Sequence, residues 1–144
     1  MPRHNIIENS PYSCQQLYDL VINVEQYPSF IPWCKAARIL RKCEDYFEAE
    51  LVISFKHIRE SYVSKVTGDA ANFTIEVEMI KGPFHHLINK WQFEEIAEGG
   101  CKIHFHIDFA FKNIILEKII GSLFNRATQK MVAAFKQQAS ILYC

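Results

Sequence analysis

The chain has 144 residues, of which 49% are hydrophobic and 13% aromatic, so it is long enough to bury the core of one globular domain. Its 16 basic and 16 acidic residues give a formal net charge of zero, which excludes the broad basic surface typical of DNA-binding proteins. The five cysteines include no CxxC pair, which favours a reducing compartment, and the N-terminal residues lack the apolar core of a signal peptide. We therefore expect a cytoplasmic protein with no DNA partner.

The first third of the chain predicts short elements. Arg3 to Glu8 is a possible strand, and Ser10-Pro11 is typical of a helix start, with apolar residues at helical spacing behind it. Pro28 and Pro32 then stand four residues apart, which forbids a long helix. We expect a short helical turn or a corner there.

From residue 36 to residue 111 the hydrophobic period changes to two. Apolar and polar residues alternate in FEAELVISF, NFTIEVEM and CKIHFHIDFAF, which predicts antiparallel strands with one apolar and one polar face. The segments RILRKC, IRESYVSKV and NKWQFEEI are the expected partner strands, and Gly68-Asp69 and Gly99-Gly100 the expected turns. A sheet of six or seven strands with one apolar face needs a cover.

The last segment, residues 113–142, supplies that cover as one long amphipathic helix. Its apolar stripe consists of Leu116, Ile120, Phe124, Ala127, Met131, Phe135 and Leu142. The sequence thus predicts an α+β protein in which a curved antiparallel sheet lies against a long C-terminal helix.

The sequence contains one candidate metal site and one candidate nucleophile. His104, His106 and Asp108 share a strand face in an HxHxD pattern, but that face is the polar one, so solvated side chains are favoured over a metal site. Cys34 could be a thiol nucleophile, yet no protease signature surrounds it, and packing is the favoured interpretation. No nucleotide-binding or hydrolase motif occurs, and we expect no catalytic residue, metal or cofactor.

The segment IRESYVSKV departs from the alternation because its more apolar face carries Glu60 and Ser64 beside Tyr62. A carboxylate there is costly unless it is paired or lies in a wet cavity. Either Glu60 forms an ion pair, or Glu60, Tyr62 and Ser64 are polar groups of an apolar ligand pocket.

Four ordered motifs, YPSFIPWC, IRESYVSKV, KGPFHHLINKWQF and GSLFNRATQKMVAAFKQQA, carry a family resemblance. The chain resembles the coenzyme Q-binding START-like proteins of the polyketide cyclase/dehydrase superfamily, in which the RatA ribosome-association toxins are a sibling branch. The resemblance implies the helix-grip (START/Bet v 1-like) fold over residues 1–144 as a single lipid-binding domain, with a hydrophobic tunnel between sheet and helix.

The resemblance also implies a non-catalytic carrier of ubiquinone or a similar isoprenoid lipid, in peripheral contact with the inner membrane, that supports respiration or quinone synthesis. The alternatives are a toxin that binds a ribosomal subunit and a cyclase-like enzyme with Glu60 as its acid or base. The candidate ligand-binding residues are Phe30, Trp33, Phe55, Glu60, Tyr62, Ser64, Phe84, Trp91, Ile120, Phe124, Ala127 and Met131.

Aromatic residues are frequent in two predicted loops, residues 27–33 and 82–87. Either these residues pack in the core or they surround an opening. For a lipid carrier we expect the two loops to meet as a portal, in which Phe30 and Phe84 contact the bilayer and can be replaced at little cost in stability.

Overall fold

The computed structural model describes the backbone of residues 3–55, 58–121 and 124–143 and the side chains of residues 5–54, 59–115, 117–118 and 129–143. It contains a seven-stranded antiparallel sheet in the order β1-β7-β6-β5-β4-β3-β2. The strands are β1 (Arg3–Ser10), β2 (Cys34–Lys42), β3 (Phe47–Phe55), β4 (Ile58–Asp69), β5 (Thr74–Lys81), β6 (Phe84–Glu95) and β7 (Cys101–Phe111). The helices are α1 (Cys14–Ile22), a 3₁₀ helix (Val24–Ser29), α2 (Ile114–Gly121) and α3 (Phe124–Tyr143).

The alternation of apolar and polar residues along the strands buries one face of the sheet, as predicted. Ala49 and Leu51 of β3 and Ile103 and Phe105 of β7 are buried on one face, which faces α3, while the residues between them are more exposed. The curved sheet and the C-terminal helix confirm the α+β class and the helix-grip fold. Among the described residues, no helix is both long and apolar enough to cross a membrane.

Helix α1 starts later than predicted. Ser10 is still part of β1, opposite Cys101, and the N-cap is Ser13, whose hydroxyl accepts a hydrogen bond from the Gln16 amide. The Gln16 side chain accepts one from the Ser13 amide in return, which completes a capping box. This reciprocal cap, which Ser10 cannot form while it is paired in the sheet, sets the helix start.

Several strand ends also differ from the prediction. Strand β2 begins at Cys34 and β6 at Phe84, so most of the predicted loop 82–87 is strand. Gly68 and Asp69 lie in β4, and the turn follows them because the Asp69 carboxylate accepts bonds from the Ala71 and Asn72 amides. Gly99-Gly100 forms a turn as predicted, with both φ angles positive.

The predicted single C-terminal helix consists of α2 and α3, and residues 122–123 between them are outside the described ones. Val132, Phe135 and Ala139 form the buried face of α3, with Met131 half-buried beside them. The prediction that Leu142 lies on this face is wrong: Leu142 is 55% exposed, because in the last turn it is Tyr143 that contacts the rest of the protein. The side chains of Leu116, Ile120, Phe124 and Ala127 are outside the described ones.

Phe135 joins the helix to the sheet. Its ring centroid lies 5.2 Å from those of Tyr27, Phe30 and Trp91, with interplanar angles between 70° and 83°. Edge-to-face contacts of this kind add to the free energy of apolar burial. One side chain thus connects α3, the 3₁₀ helix with the residue that follows it, and β6.

We predict that Phe135→Ala lowers the free energy of unfolding by about 3–5 kcal/mol, because it opens a cavity among three rings. Leu142→Ala is the matched control in the same helix and should change that free energy by no more than about 0.5 kcal/mol. Urea denaturation followed by circular dichroism measures both. Equal losses in the two variants would contradict this assignment of the buried face.

Candidate functional site

A cavity of about 100 Å³ lies between the buried face of the sheet and α3. Its described lining is mostly aliphatic and aromatic. The lining residues come from the 3₁₀ helix and the turn after it, from each of the strands β2 to β7, and from α3. The lining residues are Val24, Tyr27, Ile31, Trp33, Cys34, Leu51, Ile53, Tyr62, Ser64, Val66, Val77, Leu87, Asn89, Trp91, Ile107, Met131 and Phe135. The cavity volume is below the ~300–1,000 Å³ of typical ligand pockets and is closer to the volume that one six-membered ring fills.

Ser64 is the exceptional polar group in this lining. Its side chain is fully buried, and its Oγ has no hydrogen-bond partner among the described residues. An unsatisfied buried hydroxyl typically costs about 1–3 kcal/mol. A group that entered the cavity and exchanged a hydrogen bond with Ser64 would recover that free energy.

Three other polar side chains of the lining, Tyr27, Asn89 and Trp91, have hydrogen-bond partners. Asn89 donates from Nδ2 to the His106 carbonyl at 3.1 Å and accepts from Trp91 Nε1 at 2.9 Å. Tyr27 donates its hydroxyl to the Val21 carbonyl. Burial raises the pKa of both Tyr27 and Tyr62, so these phenols stay neutral at physiological pH. The described lining is therefore uncharged, and the Ser64 hydroxyl is a buried group in it that has no hydrogen-bond partner among the described residues.

Cys34 lies in this wall as a packed thiol. Burial raises its pKa to about 11, and its sulfur donates to the Ala36 carbonyl at 3.6 Å. The thiolate that a nucleophile needs is therefore scarce at neutral pH. This favours the packing interpretation over catalysis.

Glu60 pairs with Ile53 across the β3–β4 ladder, next to the strand position of Tyr62. Its side chain is half-buried, and it is not part of the cavity lining. The expected role of Glu60 at a head-group end of the pocket stays a prediction.

Five of the predicted ligand-binding residues come together in the lining: Trp33, Tyr62, Ser64, Trp91 and Met131. Phe30 lies one layer away, against Phe135. The side chains of Phe55, Ile120, Phe124 and Ala127 are outside the described ones. Sequence reasoning missed Asn89, although it stands two residues before Trp91 on a strand whose other buried residues are apolar, and a lone amide there is a signal for a polar site.

The prediction that Phe84 lies at an exposed portal is wrong. This ring is 3% exposed and packs against Tyr62, Phe109 and Phe111, with centroid distances of 4.6–5.7 Å. It belongs to a second small core because β6 begins at Phe84 itself. Its replacement by Ser would therefore cost stability. Leu87, from the same segment, does reach the cavity.

A larger groove of about 420 Å³ lies on the opposite, solvent-facing side of the sheet. It includes His104 and His106, whose rings are hydrogen-bonded to Glu94 at 3.1 Å and to Asn5 at 2.6 Å. Asp108, the third residue of the HxHxD pattern, is 2.9 Å from His86. The three side chains thus have separate partners, and the described residues contain no cluster of three potential metal ligands.

Comparison with known proteins finds relatives for most of the chain. Residues 10–136 match the sequence profile of the family described as polyketide cyclase/dehydrase and lipid transport. The ribosome association toxin RatA of Rickettsia prowazekii is 40% identical over 132 residues, which are 90% of either chain. The coenzyme Q-binding protein COQ10 homolog B of Xenopus laevis is 30% identical over 92% of this chain and 55% of its own length.

Solved structures agree with this assignment. The solution structure of the 18 kDa protein CC1736 from Caulobacter crescentus is 32% identical, covers 99% of both chains and has a TM-score of 0.82. A START superfamily protein from Mycobacterium smegmatis has a TM-score of 0.83 at 14% identity, covers 97% of this chain and 98% of its own, and shows the shared fold alone.

We predict that iodoacetamide at pH 7.5 labels Cys43, which is half-exposed, well before Cys34, because burial and a pKa of about 11 keep the Cys34 thiol unreactive. Peptide mass spectrometry after timed labelling measures both rates, and labelling in urea should make them similar. Labelling of Cys34 in the folded protein as fast as that of Cys43 would restore it as a candidate nucleophile.

Proposed function

Because this chain belongs to the polyketide cyclase/dehydrase and lipid transport family, we propose that it binds an isoprenoid lipid, with the ring of ubiquinone as head group, between the sheet and α3. The observation that carries this proposal is the buried Ser64 hydroxyl, which has no hydrogen-bond partner among the described residues and lies in a mostly apolar cavity. A quinone carbonyl accepts a hydrogen bond from such a hydroxyl. The rings of Tyr62 and Trp91 supply flat apolar walls.

The size of the cavity sets a condition on binding. A volume of about 100 Å³ takes one ring, so a polyprenyl tail must displace side chains of the wall. Burial of the tail supplies about 0.8 kcal/mol per CH2, which grows with tail length and offsets this rearrangement. The proposal therefore includes an expanded ligand-bound state.

The lining favours binding over catalysis. Its described residues include no Asp, Glu, His or Lys, and Cys34 is held protonated by burial. A cyclase needs an acid or base near its substrate, and Glu60, the candidate for that role, lies outside the lining. We therefore propose a carrier that contacts the inner membrane peripherally and hands its lipid on unchanged.

A second candidate function is association with a ribosomal subunit. The resemblance to the Rickettsia prowazekii RatA, at 40% identity over 90% of both chains, favours it. Zero net charge gives little long-range attraction to RNA, so such binding would depend on local contacts and be less salt-dependent than that of a basic protein. Co-sedimentation with purified subunits at two salt concentrations tests it, and absence of the protein from the subunit fractions at both would reject it.

Lipid extraction tests the first candidate. The protein is purified without detergent from cells that make ubiquinone, and the organic extract is analysed by mass spectrometry. A quinone at a near-stoichiometric ratio supports the carrier, whereas its absence, together with no binding of added short-tail ubiquinone, would reject it. The two candidate functions are tested by independent experiments, so the result of one experiment does not decide the other candidate.

We predict that Ser64→Ala weakens binding of a short-tail ubiquinone by roughly tenfold while the free protein keeps or gains stability, because the variant removes a buried hydroxyl to which no described residue is hydrogen-bonded. The matched control is Ser61→Ala on the same strand, since Ser61 is exposed on the other face and should change neither quantity. Quenching of tryptophan fluorescence measures affinity, and thermal unfolding measures stability. Unchanged affinity in Ser64→Ala would contradict the proposed head-group contact.

A further inference from the structure

Two buried cysteines that the carrier proposal does not use lie against each other. Cys14 is the first residue of α1 and Cys101 the first residue of β7, and their sulfur atoms are 3.0 Å apart. Their residues are 2% and 0% exposed. Their positions differ by 87 in the sequence, so the contact belongs to the tertiary fold.

The local structure holds this pair in place. Ser10, the last residue of β1, pairs with Cys101, and the chain then returns through Pro11 to Ser13, the N-cap of α1. Gly100 lies against this return: a side chain at Gly100 would collide with the Ser10 carbonyl, and its φ of 93° suits glycine. The start of α1 is therefore fixed over the start of β7.

We propose that Cys14 and Cys101 are a site of oxidative modification, at which a hydroperoxide converts the two thiols to a disulfide that joins α1 to the sheet. The bond needs a sulfur–sulfur distance of about 2.0 Å, so the atoms approach each other by roughly 1 Å. Among the described residues, neither Cys34 nor Cys43 has a comparable partner: Cys34 bonds to a carbonyl, and Cys43 lies in the half-exposed turn after β2.

The reaction balances in two steps. One sulfur attacks a peroxide oxygen, the O–O bond breaks, and the departing oxygen takes up the thiol proton. The products are a sulfenic acid and water, or an alcohol where the oxidant is an organic hydroperoxide. The sulfur of the second thiol then attacks the sulfenic sulfur, the S–O bond breaks as the S–S bond forms, and the displaced hydroxide leaves with the thiol proton as a second water. Two thiols lose two electrons in total, and the hydroperoxide gains them.

Burial determines when the reaction occurs. Both sulfurs are shielded from solvent, and burial together with the neighbouring Cys14 raises the pKa of Cys101. Oxidant therefore reaches the pair chiefly when the start of α1 opens, and oxidation should be slow in the closed fold. The same burial protects the disulfide from reductants once it has formed.

The cross-link also bears on the cavity. Helix α1 provides the Val21 carbonyl that holds the Tyr27 hydroxyl, and Val24, which lines the cavity, follows two residues after its end. Tyr143 of α3 donates to the Gln16 carbonyl of α1 at 3.1 Å. A disulfide at Cys14 thus fixes the helix on which one end of the cavity wall is built.

The test is oxidation of the full chain with hydrogen peroxide, followed by intact mass measurement and non-reducing peptide mapping. We expect the mass of two hydrogens to be lost, a peptide pair joining Cys14 to Cys101, and a rise in Tm of roughly 5–10 °C that a strong reductant reverses. Slower amide exchange in α1 after oxidation would be the accompanying structural signature.

Variants separate this pair from the other thiols. Cys14→Ala and Cys101→Ala should each lack the joined peptide and the Tm rise, whereas a variant with Cys34, Cys43 and Cys144 all changed to Ala should keep both. If Cys101→Ala fails to fold, Cys14→Ala alone carries the comparison. The proposal is overturned if peroxide leaves Cys14 and Cys101 as free thiols while Cys43 oxidises, or if it drives them to sulfinic or sulfonic acids without cross-linking.

Discussion

The contact of Phe135 with three aromatic rings is the interaction on which the rest of the structure depends. A sheet with one apolar face is unstable in water until that face is covered, and the described side chains of α3 cover it with Val132, Phe135 and Ala139. The same ring contacts Tyr27 and Phe30, so the 3₁₀ region is fixed by the helix that covers the sheet. Loss of this contact would release the helix and one end of the cavity together.

Ser64 and Asn89 show how a hydrophobic core is adapted to hold a ligand. Both are buried where the strand pattern calls for apolar residues. Asn89 is hydrogen-bonded to neighbouring groups, whereas the hydroxyl of Ser64 has no partner in the described part of the chain. A core selected for stability alone would fill the position of Ser64 with an apolar side chain. The free protein therefore carries a local cost that a suitable ligand would remove, and this is a common way for a binding site to differ from a packed interior.

The sequence predicted the fold well because alternation with a period of two is a direct consequence of burying one sheet face. The departure of IRESYVSKV from that alternation indicated Tyr62 and Ser64 as polar groups of a pocket, and both line the cavity. Trp91, a candidate ligand-binding residue through the family resemblance, lines it too. It misplaced Phe84 because glycine and proline before it are typical of a loop, although the turn occupies only Gly82 and Pro83. It could not reveal the Cys14–Cys101 contact, since proximity across 87 positions depends on how α1 returns over the sheet rather than on any local pattern.

The position of β1 in the sheet has a consequence for synthesis on the ribosome. Strand β1 is made first, but its sheet partner is β7, which is complete only at Phe111. At translation rates of about 5–20 residues per second, β1 waits roughly 5–20 s without its neighbour. Strands β2 to β6 can pair in order as they emerge, so the nascent sheet grows from one edge while its first strand stays unpaired. The addition of β1 to the sheet is thus a late event. It depends on contacts between distant parts of the chain, and such contacts slow folding.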